Sequence, residues 1–217
     1  MINKIMLLGF LLALVSYGAF AQKDAKAEEI LNGVSEKYQS LNGLTATFEY
    51  SYSNDQEGEN QSNVGEVAVK GDKYKLVLED QEIYNNGNTV WTYIKSNAFQ
   101  EVTINTVEED MEELTPSNIY TIYKKGYNYQ LLGESDQNGM MVQEIELTAE
   151  SRKNQFQKIN LFVDKENKDL IGWEIQDDVG GIFSYSLKEI DNQTTIPDNY
   201  FVFDTSKHPN VEVIDLR

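Results

Sequence analysis

The stretch Val64–Ile104, VGEVAVKGDKYKLVLEDQEIYNNGNTVWTYIKSNAFQEVTI, decides the fold, because it reads as consecutive β-hairpins. Val64–Lys70, Tyr74–Glu79, Glu82–Asn85, Thr89–Ile94 and Phe99–Ile104 are rich in Val, Ile, Tyr, Phe and Trp, which suit a pleated, half-buried surface. Gly71-Asp72, Asn86-Gly87-Asn88 and Lys95-Ser96-Asn97 separate them. Asn-Gly tolerates the positive φ that a two-residue hairpin turn requires. Tyr74, Leu76 and Leu78 fall on one face of their strand, and Lys73, Lys75 and Glu79 on the other. A run of antiparallel strands with one apolar face needs a partner for that face, either a packed core or a ligand.

Upstream of this run, Lys23–Asn42 has the spacing of an amphipathic helix. Ala27, Ile30, Leu31, Val34, Tyr38 and Leu41 recur along one side, with Asp24 placed to cap the start and Gly43 to end it. Leu44–Tyr52 then alternates as a strand, with Leu44, Ala46, Phe48, Tyr50 and Tyr52 on one face. Ser53–Asn63 is a polar loop whose Asp55, Glu57 and Glu59 lack the full oxygen set of a calcium site.

Downstream, Glu108–Glu113 is an acidic run that reads as a solvated face. Thr115-Pro116 then opens a second predicted helix, with a cap residue before a proline at its first position. Ile119, Ile122 and Tyr123 form its apolar side and Gly126 ends it. Further strands are expected at Tyr127–Leu132, Met140–Thr148, Gln155–Val163, Leu170–Gln176 and Ile182–Ile190, with turns between them that include Gly133–Gly139. A tail with Tyr200, Phe201, Phe203 and His208 closes on a short strand, Val211–Ile214. No Pro/Gly/Ser linker divides residues 22–217, which read as one domain.

Residues 1–21 have the pattern of a secretory signal: Lys4, an apolar run from Ile5 to Phe20, and Ala19-Phe20-Ala21 before Gln22. The chain has no cysteine, so it carries neither a disulfide nor a lipidated N-terminal thiol, and the bacterial periplasm is the expected compartment. With 18 Lys and Arg against 36 Asp and Glu, the net charge of −18 repels nucleic acid and anionic lipid head groups.

Catalytic patterns are thin. The single histidine, His208, stands beside Pro209 in the tail, and no nucleophile elbow accompanies it. Zinc requires several His or Cys ligands, and neither phosphate-binding glycine motif occurs. No metal and no cofactor are expected. Among 36 acids a carboxylate pair for sugar hydrolysis always exists, and nothing nominates one. The aromatics are more informative: 13 Tyr and 9 Phe fall largely on strand faces. About ten or eleven such strands, twisted and curled into an incomplete barrel, present an apolar concavity that helices can cover. The same residues equally suit an ordinary sheet–helix core.

Three blocks carry a resemblance. They are Gly65-Glu66-Val67-Ala68-Val69-Lys70 with Lys73-Tyr74-Lys75-Leu76; then Tyr84-Asn85-Asn86-Gly87-Asn88-Thr89-Val90-Trp91-Thr92-Tyr93; then Tyr200-Phe201-Val202-Phe203 with Pro209-Asn210-Val211-Glu212-Val213-Ile214-Asp215. In order and spacing they resemble the LolA family of periplasmic outer-membrane lipoprotein carriers. That resemblance implies an α+β fold, an open and strongly curved antiparallel half-barrel with helices covering an apolar cavity. It implies no catalysis. It also implies a monomer that takes acylated lipoproteins from an inner-membrane ABC transporter and passes them to an outer-membrane receptor. The expected cavity wall is Phe48, Tyr50, Tyr74, Leu76, Trp91, Tyr93, Ile119 and Ile122. The family's arginine after the first hairpin strand, which latches the lid, is replaced here by Gly71. A flexible lysine nearby is no substitute for a guanidinium fork. The alternative reading is a sensing module similar to RseB, which detects mislocalised lipid products.

Overall fold

The first described element, α1 (Ala25–Gln39), begins where the Asp24 carboxylate accepts the N–H of Lys26 at 2.8 Å and of Ala27 at 3.4 Å. The other Asp24 oxygen accepts the N–H of Leu131, and the Asp24 N–H donates to the Tyr129 carbonyl. One residue thus caps the helix and covers part of a sheet edge. The computed structural model describes residues 23–54, 61–95, 99–107, 114–177 and 180–217. The signal-like residues 1–21 and the acidic stretches 55–60 and 108–113 lie outside them. Among the described residues no helix is long and apolar enough to cross a membrane.

Twelve strands follow: β1 (Leu44–Ser53), β2 (Gln61–Lys70), β3 (Lys73–Val77), β4 (Gln81–Asn85), β5 (Thr89–Lys95), β6 (Gln100–Thr106), β7 (Tyr127–Gln137), β8 (Met140–Ala149), β9 (Lys158–Asp164), β10 (Leu170–Gln176), β11 (Ile182–Asp191) and β12 (Glu212–Asp215). They join one open sheet in the order β12-β6-β5-β4-β3-β2-β1-β11-β10-β9-β8-β7. Sequential hairpins build each half, and β1 pairing with β11 joins the halves. Only β12 runs parallel to its neighbour, β6.

The sheet curves around α1. Ala27, Leu31, Val34 and Tyr38 share one buried cluster with β1, β2, β3 and β7 through β10. On this inner face Leu44, Ala46, Phe48 and Tyr50 of β1 lie beside Val69, Val67 and Gly65 of β2. Gly65 is required there, because a Cβ at that position would stand 2.4 Å from Cζ of Phe48. The outer face of β2–β6 is covered by the chain's own C-terminal segment. Phe201 is fully buried against Ala68, and Phe203 packs on Tyr84, Tyr93 and Val102. The ammonium of Lys70 donates to the Ile196 carbonyl and to Asp198, each at 2.8 Å, and Lys73 reaches the other Asp198 oxygen at 3.0 Å.

Three expectations are corrected. The sheet has twelve strands among the described residues instead of ten or eleven. Gly133 is not the start of a turn: β7 continues through it with a register shift at Leu131/Gly133, and the turn is Asn138-Gly139, both at positive φ. Residues 116–126 form no α-helix; they are turns that end in a single 3₁₀ turn, Ile122–Lys124. The Asn118 side chain accepts the Thr115 N–H, and the Asn118 carbonyl accepts the Thr121 hydroxyl. The same carbonyl accepts the Thr121 N–H, an i−3 pattern that competes with the helix ladder, and β-branched Ile119, Thr121 and Ile122 add little propensity against it.

Candidate functional site: an apolar cavity under the 114–120 segment

A cavity of about 380 Å³ lies between the inner face of the sheet and residues 114–120. Alternation on adjoining strands builds one wall, with Leu44, Phe48 and Tyr50 from β1, Val67 and Val69 from β2, and Leu76 from β3 followed by Leu78. The opposite wall is Trp173 and Ile175 from β10 with Phe183, Tyr185 and Leu187 from β11. Trp173 and Tyr185, register partners on neighbouring strands, stack with ring centroids 5.0 Å apart. Leu114, Pro116, Ile119 and Tyr120 form the cover, and Tyr38 of α1 stacks on Tyr120 at 5.4 Å.

Among the described residues no Asp, Glu, Lys, Arg or His lines this space. Its polar atoms are mainly phenols. Tyr38 donates to the Leu170 carbonyl and accepts the Leu170 N–H at 3.1 Å, and burial with nearby Asp169 pushes its ionisation well up. Burial likewise raises Tyr50, Tyr120 and Tyr185. All four therefore stay neutral at ordinary pH. A cavity lined in this way offers burial for hydrocarbon.

The cover is fastened to α1. The Tyr123 hydroxyl donates to Asn32 Oδ1 at 2.6 Å, and Lys124 Nζ donates to Ser35 Oγ at 3.1 Å. Gly71, the position at which the resemblance implied a latching arginine, sits at φ +58° in the two-residue turn between β2 and β3. That left-handed backbone disfavours an arginine at this position.

Four of the eight expected wall residues, Phe48, Tyr50, Leu76 and Ile119, meet in the cavity. Tyr74 and Ile122 lie in the adjoining buried cluster without lining the space. Trp91 and Tyr93 are on the other face of the sheet. Ile83 of β4 continues the inner row from Leu76, so its neighbour Tyr84, paired with Trp91, points outward. There Tyr93 and Phe203 pack together, and His208 stacks on Phe203 and lies tilted against Tyr93, with ring centroids 4.7 Å apart in each pair. The wall made by Trp173, Ile175, Phe183, Tyr185 and Leu187 was missing from the expected set. Its signal was present, since the alternation of Leu187, Tyr185 and Phe183 matches that of their register partners on β1, Phe48, Tyr50 and Tyr52.

A search of curated proteins finds no match. Among solved structures, the chain is similar to an uncharacterised conserved protein from Thermus thermophilus, at 14% identity and TM-score 0.58, covering 88% of this chain and 99% of that one. A LolA superfamily protein from Nitrosomonas europaea matches at 14% identity and TM-score 0.44, over 82% of this chain and 98% of that one. A Pseudomonas aeruginosa MucA/MucB complex matches at 12% identity and TM-score 0.41, over 83% of this chain and 62% of that one. The family model described as outer membrane lipoprotein carrier protein LolA matches residues 17–169. With most of its length matched in this way, the chain belongs to the LolA family.

Proposed function

We propose that this protein is a periplasmic lipoprotein carrier that holds acyl chains in the cavity under residues 114–120. It receives lipoproteins from an inner-membrane ABC transporter and delivers them to an outer-membrane acceptor, without catalysis. The observation that carries this reading is the cavity wall: among the described residues some twenty contribute to it and none is charged. Phe48, Tyr50, Leu76, Ile119, Trp173 and Tyr185 make the principal contacts with the chain.

At the roughly 30 Å³ that a water-sized group occupies in a liquid, about 380 Å³ holds on the order of a dozen methylenes. At ~0.8 kcal/mol per buried methylene, gross burial approaches ~10 kcal/mol, before the costs of ordering the chain. A longer chain, or a second one, is accommodated by displacement of the 114–120 cover.

The test is displacement of an environment-sensitive apolar dye from the purified protein. A triacylated lipopeptide, a diacyl phospholipid and the unacylated peptide are compared. Displacement by the lipopeptide alone, near one per chain, supports the carrier. Displacement by the phospholipid as well would favour the RseB-like sensing module. Absence of dye binding would overturn both.

A further inference from the structure

The charges around the cavity are sorted by face. Lys70 of β2, Lys73 and Lys75 of β3 and Lys188 of β11 all point to the outer side of the sheet. Lys70 and Lys73 hold Asp198 there, Lys75 lies over the rings of Tyr84 and Tyr200, and Lys188 pairs with Glu49 at 3.4 Å. The open end of the cavity has the opposite sign. It is marked by Tyr50, Leu78 and the substantially exposed Phe183. Directly after Leu78 the turn to β4 carries Glu79 and Asp80, both exposed and in no ion pair among the described residues. Their negative field reaches the Tyr50 hydroxyl and adds to the effect of burial in disfavouring its ionisation.

Among the described residues, Lys95 reaches that turn and is already engaged. Lys95 Nζ donates to the Leu78 carbonyl at 2.6 Å and lies 3.8 Å from Glu82. At the far end of the cavity, exposed Asp72 stands near Tyr120, and its neighbours Lys70 and Lys73 face away. Lys37, on the α1 side, is held by Asp169 at 2.5 Å. An amphiphile whose tail enters the cavity therefore leaves its head group beside uncompensated carboxylates.

We infer that the mouth formed by Glu79 and Asp80 selects acyl chains whose attached segment is cationic, and disfavours those with anionic heads. This deepens the proposed acyl-binding role and rests on it. A surface charge pair a few ångströms apart changes affinity by about fivefold at low salt, and the effect fades as the screening length falls from ~10 Å at 0.1 M toward ~3 Å at 1 M.

The experiment uses two probes with one tail, N-palmitoyl-Ser-Lys-Lys and N-palmitoyl-Ser-Glu-Glu, each displacing the apolar dye from the protein. At 20 mM salt the lysine probe is expected to displace at about fivefold lower concentration or better, with the gap closing in 0.5 M salt. The double variant Glu79→Gln/Asp80→Asn should remove most of the gap, with its unfolding midpoint checking the fold. Glu49→Gln, on the outer face of β1, should keep it. Equal displacement at low salt, a gap that survives the double variant, or an equal loss in Glu49→Gln would overturn the inference while leaving acyl binding intact. Failure of the dye to bind at all would instead remove the acyl-binding role itself.

Discussion

The Tyr123 hydroxyl donates to Asn32 Oδ1 at 2.6 Å, and this bond ties the cover of the cavity to the helix that the sheet wraps around. Lys124 to Ser35 repeats the tie one residue along. Displacement of the cover, on the function proposed above, would have to break these two side-chain hydrogen bonds.

Tyr123→Phe removes the tie and keeps the ring against Tyr129, 5.8 Å away. A net hydrogen bond of about 1 kcal/mol should be lost from stability. Dye dissociation should speed up by about fivefold in stopped-flow, with Asn32→Ala giving a similar result.

Trp173→Ala and Trp91→Ala separate the two faces. Trp173 lines the cavity and Trp91 packs in the outer cluster with Tyr84, Tyr93 and Phe203. Trp173→Ala should weaken lipopeptide binding about tenfold, as read by dye displacement. Trp91→Ala should leave binding unchanged and lower the unfolding midpoint in urea.

Gly65→Ala tests the close approach of β2 to Phe48. The added Cβ would lie 2.4 Å from Phe48 Cζ and 3.0 Å from Leu78 Cδ2. Overpacking of this kind costs about 1–3 kcal/mol. The ring must move, so both denaturant stability and cavity binding should fall.

Asp198 gives stability a dependence on acid. Hydrogen bonds from Lys70 and Lys73 hold its carboxyl down at about 2 in the folded protein, from an ordinary value near 3.8. A depressed carboxylate stabilises the fold above its unfolded value, and that contribution disappears as pH falls through the folded one. Thermal midpoints of the protein and of Asp198→Asn should therefore differ at pH 6, converge between pH 4 and pH 2, and coincide below. High salt should narrow the difference, because the pair is exposed.

Much of this architecture follows from local chemistry. Asp24 caps α1, Gly71-Asp72 and Asn86-Gly87-Asn88 sit between the expected strands, and Leu44–Tyr52 alternates as a strand should. The cover was misread because Pro116 and the apolar spacing of Ile119, Ile122 and Tyr123 imitate a helix. Instead the Asn118 carbonyl accepts both the N–H and the hydroxyl of Thr121, three residues on, which holds the segment in turns.

Strand content, hairpin order and family membership were determined by the sequence alone, since turn residues and period-two alternation act within a few neighbours. Only the tertiary structure decided which face of β4 and β5 looks inward. Those strands are apolar on both sides, with Ile83, Val90 and Ile94 on one and Tyr84, Trp91 and Tyr93 on the other. Alternation cannot rank two apolar faces. The choice is made by Phe203 and His208, more than a hundred residues along the chain, which cover the aromatic side and leave Trp173 and Tyr185 to complete the cavity.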